Sequence, residues 1–217
     1  MSKKIHVFDF DGTLTTQDSL LPVISFIQGK RALWFGMLLH APLLVLMKLR
    51  LIDNGWMKQR MFSHFFRGMT ESMFNNCCEI FADYYSEILR PQGIATIKKA
   101  LADGDEVCIV SASIDNWVRP FFVNDEEKHR DEEIVIPKVD ALRLNIICTE
   151  AEVKNGRLTG RFSTPNCYGK EKVRRLRQAV PNLDDYDEII VYGDSRGDEA
   201  LFEIATERHY KPFRGDV

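Results

Sequence analysis

The chain has 217 residues, of which 45% are hydrophobic and 28% are charged, and 29 Lys+Arg against 32 Asp+Glu give a net charge of -3. This composition excludes a disordered or fibrous protein, and the length allows one medium domain or a core with a small accessory domain. The nearly balanced charge argues against a nucleic-acid partner, because such binding rests on a basic field.

The cysteines and the N-terminal residues bear on location. The five cysteines are odd in number and include no CxxC pair, which disfavours a disulfide framework or a structural zinc site and favours a reducing compartment. The first six residues run from two lysines into a strand-like stretch, without the apolar core of a signal peptide. These features predict a cytoplasmic protein.

The predicted elements change character along the chain. Residues 3–10 form a short apolar run that is typical of a buried parallel strand. From about residue 18 to residue 97, apolar side chains recur at helical spacing. The runs that predict individual helices are 20–27, 32–51, 56–66 and 73–89. Further on, β-branched strands at 107–110 and 189–192 are each followed by a polar turn and a helical pattern.

Two segments lie between the last two strands. Residues 146–162 predict a hairpin that turns at Asn155-Gly156. Residues 124–133 are almost wholly charged and predict a solvated loop.

The order of the elements predicts an α/β fold, because a first strand and a long helical insertion precede alternating strands and helices. A Rossmann-like core with a parallel sheet would comprise residues 1–15 and 98–217. An inserted all-helical cap would comprise residues 16–97.

One predicted helix is unusually apolar. Residues 32–47 contain His40 as their only ionisable side chain and are flanked by four basic residues, Lys30, Arg31, Lys48 and Arg50. As a helix the segment would span about 24 Å, shorter than the ~30 Å hydrocarbon core of a bilayer, so a membrane span is disfavoured. Packing inside the cap is the simplest interpretation. Peripheral contact with lipid, or with an apolar substrate, is the alternative.

The strongest chemical signal is Asp9-Phe10-Asp11-Gly12-Thr13, directly after the first strand. Polar residues at the carboxyl ends of parallel strands lie where open α/β sheets bind ligands. Asp9 and Asp11 are two positions apart, so on an extended backbone their carboxylates would converge on one point. Because two buried carboxylates are costly without a cation, the pair predicts a functional site.

A second acidic pair, Asp194 and Asp198, follows the predicted strand at 189–192. The two pairs together offer four carboxylates. Clustered hard oxygens suit Mg²⁺, which commonly binds substrate phosphate at the same time. The pairs therefore predict a magnesium site.

Groups that favour anions follow another strand and open another helix. Ser111 and Ala112 come after the strand at 107–110 and would offer a hydroxyl and amides at a helix start. Lys170 and Lys172 begin a predicted helix, and either could supply the positive charge that a phosphate requires.

Taken together, these motifs resemble those of the haloacid dehalogenase (HAD) superfamily. The first motif is followed in the same order by Ser111, a helix-start lysine and Gly193-Asp194-Ser195-Arg196-Gly197-Asp198. The helical insertion between the first two motifs is similar to the C1 cap of subfamily IB. That subfamily contains phosphoserine phosphatases and phosphatidylglycerophosphatases of the C type. The resemblance covers nearly the whole chain.

The resemblance implies a phosphatase and a role for each motif residue. Asp9 would be the nucleophile that forms an aspartyl-phosphate, and Asp11 would protonate the leaving group and later activate water. Mg²⁺ would be bound by Asp9, the Asp11 backbone carbonyl and Asp194, with Asp198 as a further ligand or a support for the others. The residues that would hold the phosphoryl oxygens are Thr13, Ser111, Ala112 and either Lys172 or Lys170, with Lys172 preferred.

The substrate is less closely specified. In phosphoserine phosphatases a glutamate and a cap arginine recognise the substrate amine and carboxylate, and the candidate counterparts here are Asp18 and Arg60. Gly12 and Gly197 stand where those enzymes commonly have serine and asparagine, and residues 32–47 are more apolar than a serine pocket requires. We therefore expect a lipid or other apolar-tailed phosphomonoester in preference to phosphoserine, with another small phosphomonoester also open.

A non-catalytic phosphate-binding module with the same fold is the alternative from another functional class. The complete set of acidic residues and a lysine argues against it. The sequence does not specify an oligomeric state.

Overall fold

The computed structural model describes residues 2–123 and 143–214, so the charged segment 124–133 lies outside the described residues. The described strands are β1 (Lys4–Phe8), β2 (Glu106–Ile114), β3 (Leu144–Thr149), β4 (Ala151–Lys154), β5 (Arg157–Phe162), β6 (Glu188–Gly193) and β7 (Glu207–Tyr210). The described α-helices are α1 (Leu20–Gln28), α2 (Lys30–Lys48), α3 (Asn54–Phe66), α4 (Glu71–Tyr84), α5 (Pro91–Ala102), α6 (Asp115–Val118), α7 (Lys170–Ala179) and α8 (Glu199–Ile204).

A parallel sheet with strand order β3-β2-β1-β6-β7 forms the core. In the central strand, Val7 pairs with Cys108 of β2 on one side and with Val191 of β6 on the other. All three residues are fully buried, as expected for strands covered on both faces. The carboxyl ends of β1, β2 and β6 are therefore neighbours at one edge of the sheet. The predicted α/β fold with a Rossmann-like parallel core is confirmed.

The two faces of the sheet support separate apolar cores. Ile5 and Val7 belong to a buried cluster with Leu176 of α7 and Leu201 of α8. Phe8 belongs to the opposite cluster, which also contains buried side chains of the helices between β1 and β2. This alternation follows from the two-residue period of a strand, and it fixes the rotation of β1 and hence the direction of the residues that follow it.

Helices α1 to α4 form the cap, which is joined to the core by two adjacent chain crossings. Thr15 and Leu89 form an isolated bridge, and the Arg90 amide donates to the Leu14 carbonyl at 2.7 Å. The next helix, α5, packs against β2 of the core. The helical insertion therefore closes near residue 90 and not at residue 97, because the apolar spacing of α5 is indistinguishable from that of the cap helices.

The predicted hairpin is shorter than its pattern indicated. β4 and β5 pair antiparallel around Asn155 and Gly156, whose φ values of 52° and 69° suit a two-residue hairpin turn. The segment before them is β3, which pairs parallel with β2 in the main sheet. The prediction was therefore wrong for the first residues of 146–162, since an apolar strand pattern does not specify its partner. β5 packs on α3, so a hairpin of the core supports the cap.

α2 lies on the outside of the cap. Its inner face packs closely on α3, because a Cβ at Gly36 would collide with the ring of Phe65. The prediction that the segment packs inside the cap was wrong for the outward face, where Trp34 and Leu38 are each 74% exposed. Among the described residues, α2 is the one helix long and apolar enough to cross a membrane, judged by length and composition alone.

Candidate active site

A cleft of about 310 Å³ lies between the carboxyl edge of the sheet and the cap. The core contributes residues that follow β1, lie near the end of β2, lie at the start of α7 or follow β6. The cap contributes a residue just before α1 and residues of α3. The lining residues are Asp9, Asp11, Gly12, Asp18, Asn54, Lys58, Ser111, Ala112, Tyr168, Lys172, Asp194, Ser195 and Gly197. The cleft therefore collects most of the residues that the sequence motifs predicted.

The turn after β1 brings the chain close to the loop after β6. Gly12 has φ +77°, and a Cβ there would lie 2.5 Å from Asp194 Oδ2. Only glycine fits both this backbone conformation and this approach. Thr13 is fully buried, and its hydroxyl lies 3.4 Å from Asp9 Oδ2 as a donor.

Lys172 is the electrostatic centre of the cleft. Its ammonium donates to Asp9 Oδ1 and to Asp198 Oδ1, each at 2.6 Å, and the side chain is almost fully buried. Lys170 is exposed. The structure thus puts Lys172, and not Lys170, among the acidic residues, as the preferred prediction had it.

Burial and ion pairing oppose one another in this group. Burial raises the pKa of Asp9 to about 7, although the Lys172 charge acts to lower it. Burial alone would lower the pKa of Lys172, but Asp9 and Asp198 raise it well above its usual value. Burial, and then the Asp198 charge, also raise the pKa of Asp194. The lysine therefore stays charged, and three carboxylates around it leave a deficit of positive charge.

Three carboxylates lie close enough together that they could hold a metal ion. Asp9, Asp194 and Asp198 offer oxygens that all lie within 4.8 Å of one another. Oδ2 of Asp198 already accepts from the Asp194 amide and from the Ser195 amide and hydroxyl, each at 3.1 Å. Because its other oxygen is bound to Lys172, Asp198 is occupied in holding the loop and the lysine. Asp9 and Asp194 are the carboxylates best placed to hold Mg²⁺, which usually binds one or two carboxylates and keeps several waters.

A residue that the motifs did not indicate also reaches Asp194. The guanidinium of Arg214 donates to Asp194 Oδ2 at 2.8 Å and to the Gly12 carbonyl at 3.3 Å. Nothing in the spacing of Arg214 connects it with the other motifs, since it approaches from the segment after β7. Arg214 therefore supplies a second positive charge beside the acidic cluster.

Asp11 does not share a partner with Asp9, contrary to the expectation from an extended backbone. Its carboxylate accepts from the Ser19 amide at 2.8 Å and from the Ser113 hydroxyl at 2.5 Å. The chain turns at Gly12, directly after Asp11, and the negative charge of Asp11 acts to raise the pKa of Asp9. Asp11 nevertheless lines the same cleft.

Ser111 and Ala112 are in the cleft but not at a helix start. β2 continues to Ile114, with a register irregularity between Ser111 and Ile114, and the following helix has only four residues. The Ala112 carbonyl accepts from Lys58 at 2.9 Å, and the Ser111 hydroxyl accepts from the Ser113 amide at 3.0 Å. The expected helix-terminus environment was therefore wrong, and these groups are presented by an irregular strand end.

The cap residues divide between two clefts. Asp18 lines the cleft as predicted, where it accepts from the Leu20 amide at 2.9 Å. Arg60 does not line it: its guanidinium lies 5.6 Å from the Trp56 ring centroid, and both residues line a separate cleft of about 470 Å³. The cap cation in the active-site cleft is Lys58, two residues earlier on α3.

The rotation of α3 about its axis explains why Lys58, and not Arg60, lines the active-site cleft. Residues two apart on a helix point in nearly opposite directions, whereas residues four apart share a face. Asn54 and Lys58 share the face toward the active-site cleft, and Trp56 and Arg60 share the face toward the other cleft. The spacing of the buried residues Met57 and Met61 shows which side of α3 faces the interior. The orientation of the cap over the core is also needed to decide which of the other faces lines the active-site cleft.

We predict that Lys172→Met destabilises the metal-free protein by about 3–5 kcal/mol, because it leaves two buried carboxylates without their counter-charge. Lys170→Met is the matched control, and as an exposed change it should cost less than about 0.5 kcal/mol. Urea unfolding in EDTA measures both. Equal effects of the two variants would contradict the assignment of Lys172.

Comparisons with known proteins agree with this geometry. A family model described as haloacid dehalogenase-like hydrolase matches residues 6–203. Protein CicA of Caulobacter vibrioides is 33% identical over 210 residues, which are 96% of this chain and 86% of that protein.

Two solved structures share the fold. A protein with unknown function from Bordetella pertussis Tohama I has a TM-score of 0.74 at 22% identity and covers 96% of this chain and 89% of its own. A phosphoserine phosphatase, as a phospho-aspartyl intermediate analogue, has a TM-score of 0.61 at 15% identity and covers 96% and 86%. With the family match over most of its length, the chain belongs to the haloacid dehalogenase-like hydrolase family.

Proposed function

We propose that the protein is a Mg²⁺-dependent phosphatase that hydrolyses a phosphomonoester through an aspartyl-phosphate on Asp9. The observation that carries this proposal is the position of Lys172, 2.6 Å from both Asp9 and Asp198 and close to Asp194 in an open cleft. A purely structural ion pair does not need additional carboxylates that line an open cleft. An excess of acid around Lys172 suits a site that a bound cation completes, and that cation together with Lys172 would then attract a phosphate.

The nucleophile would act through one oxygen of Asp9. Oδ1 is bound to Lys172, whereas Oδ2 is approached within the described residues by the Thr13 hydroxyl at a long 3.4 Å. Bound Mg²⁺, held by Asp9 and Asp194, would supply the positive charge that offsets the repulsion between a carboxylate and a phosphate dianion. Lys172 uses two of its three N–H donors on carboxylates, which leaves one for a phosphoryl oxygen.

The proton steps would fall to Asp11. In the first step the Asp9 oxygen forms a bond to phosphorus, the bond from phosphorus to the leaving oxygen breaks, and Asp11 gives its proton to that oxygen. In the second step Asp11 takes a proton from water, the water oxygen bonds to phosphorus, and the bond to Asp9 breaks to release phosphate. Ser19 and Ser113 hold the Asp11 carboxyl in the cleft for both steps.

Ser111 and Lys58 would bind the substrate rather than move protons. Ser111 is buried at the end of β2, where its hydroxyl can turn toward a phosphoryl oxygen. Lys58 reaches the cleft from the cap and is held by the Ala112 carbonyl. A cation on the cap would draw a dianionic substrate into the cleft and link substrate binding to the position of the cap.

For the substrate, our proposal follows the resemblance to the subfamily IB lipid-phosphate type and favours a phosphomonoester with a lipid or other apolar tail. The exposed apolar face of α2 supports this preference. Phosphoserine is the second candidate, because Asp18 lines the cleft where an amine could meet it. In that case Lys58 would have to replace the predicted Arg60 as the partner of the substrate carboxylate.

Replacement of the nucleophile tests the reaction. Asp9→Asn should lower Mg²⁺-dependent hydrolysis of p-nitrophenyl phosphate by at least about 10³-fold, because an amide cannot form the acyl phosphate. Asp184→Asn, at an exposed carboxylate paired with Arg177, is the control and should leave the rate within about twofold. Absence of hydrolysis in the wild-type protein, with phosphate still bound, would favour the non-catalytic module.

A pair of cap variants tests how substrate is held. Lys58→Met should raise KM for p-nitrophenyl phosphate by about tenfold with little change in kcat, since a charge-assisted hydrogen bond contributes about 1.5–3 kcal/mol. Arg60→Met, on the same helix but facing the other cleft, should leave KM within about twofold. Steady-state kinetics measure both constants. The reverse ranking of the two variants would restore Arg60 as the substrate-binding cation.

A further inference from the structure

The outward face of α2 carries a continuous row of exposed apolar side chains, here called the apolar stripe. Its members are Trp34, Phe35, Leu38, Leu39, Val45 and Leu49, each between 57% and 74% exposed. Trp34, Leu38, Val45 and Leu49 recur at intervals of four and seven residues and so follow one side of the helix. The stripe therefore runs for about 22 Å at 1.5 Å per residue, along most of α2 and to the residue that caps it.

Packing among residues 2–123 and 143–214 does not explain the stripe. The opposite face of α2 is apolar as well and is already used: Leu33, Met37, Leu44 and Met47 pack on the main core. A helix at the surface of a protein in water ordinarily has polar residues on its outer face. A contiguous exposed apolar row marks a surface that meets another apolar phase.

The charged residues around the stripe indicate which kind of apolar surface it would meet. Residues 19–52 contain no Asp or Glu, although the chain as a whole has a net charge of -3. Basic side chains stand at both ends of the stripe, and all of them are exposed: Lys30, Arg31, Lys48 and Arg50. Cations at both ends of a long apolar row match an extended anionic plane better than a single acidic pocket.

We propose that the apolar stripe docks on an anionic lipid bilayer, with α2 lying in the plane of the interface. Insertion of the apolar side chains and attraction of the flanking cations to lipid headgroups both stabilise this arrangement. Trp34 is well suited to an interface because its ring is apolar and its N–H remains free to bond with headgroups. Docking needs no catalysis, and it goes beyond the proposed hydrolysis.

Alternative uses of the same helix fit less well. A membrane span would have to remove Gly36 from its contact with Phe65 and expose buried His40, whose Nδ1 lies 2.9 Å from the Gly36 carbonyl. A symmetric contact between two copies would bring the same four basic residues of each chain together, which opposes association.

Vesicle binding tests the proposal. The wild-type protein should co-sediment with vesicles of phosphatidylcholine containing about one-third phosphatidylglycerol, and more weakly with phosphatidylcholine alone or at high salt. In a Trp56→Phe background the tryptophan fluorescence should shift to the blue on binding, because Trp34 is then the exposed tryptophan and Trp117 is already buried. Asp9→Asn should bind the vesicles as the wild-type protein does, so the result does not depend on the proposed catalysis.

Three exposed substitutions separate the contributions. Leu38→Ser should weaken binding to anionic vesicles by about tenfold, and Lys48→Gln should weaken it by about fivefold at low salt. Ile80→Ser is the matched control, because Ile80 is 48% exposed on α4 and lies outside the stripe, and it should bind as the wild-type protein does. Thermal unfolding checks that each variant is folded.

Two outcomes would overturn the proposal. One is a wild-type protein that stays in the supernatant with both kinds of vesicle. The other is an oligomer in sedimentation velocity without lipid that Leu38→Ser dissociates, which would make the stripe an interface between copies of this chain.

Discussion

The ammonium of Lys172, 2.6 Å from carboxylates of Asp9 and Asp198, is the interaction on which the arrangement of the site depends. It joins the turn after β1, the first turn of α7 and the loop after β6. All three side chains are buried, so each charge requires the others. The same fold places these segments together through sheet pairing of β1 with β6 and packing of α7 on the sheet. The apolar core thus supplies the free energy that holds an electrostatically costly cluster in place.

The surrounding groups follow from this excess of negative charge. Asp198 holds the loop after β6 through its bonds to Ser195 and the Asp194 amide, which leaves the Asp194 carboxylate directed toward Asp9. Gly12 allows that carboxylate to approach the turn after β1. Arg214 reaches the same oxygen from the other end of the chain. A divalent cation would offset the negative charge that Lys172 and Arg214 leave, and it would allow the site to accept a phosphate.

The sequence allowed the fold and the central residues to be predicted, because Asp9, Asp194 and Lys172 stand at strand tips or a helix start whose positions follow from parallel-sheet topology. What could not be predicted depends on tertiary geometry. The helical pattern of α3 gives the relative directions of Lys58 and Arg60, but not which of them faces the core. Likewise, spacing alone could not show which groups the Asp11 carboxylate bonds to, or that β3 joins the sheet instead of the hairpin.

The cap has two surfaces of different chemical character: a polar face over the site and the apolar stripe on the outside. Beneath the polar face, in the core, we propose that Asp9 is a nucleophile beside a magnesium ion held by Asp9 and Asp194. A crystal structure of the protein soaked with Mg²⁺ and beryllium fluoride tests it most directly. We expect trifluoroberyllate bonded to Asp9 and an ion touching both Asp9 and Asp194. An unmodified Asp9, with the ion or the fluoride bound elsewhere, would contradict it.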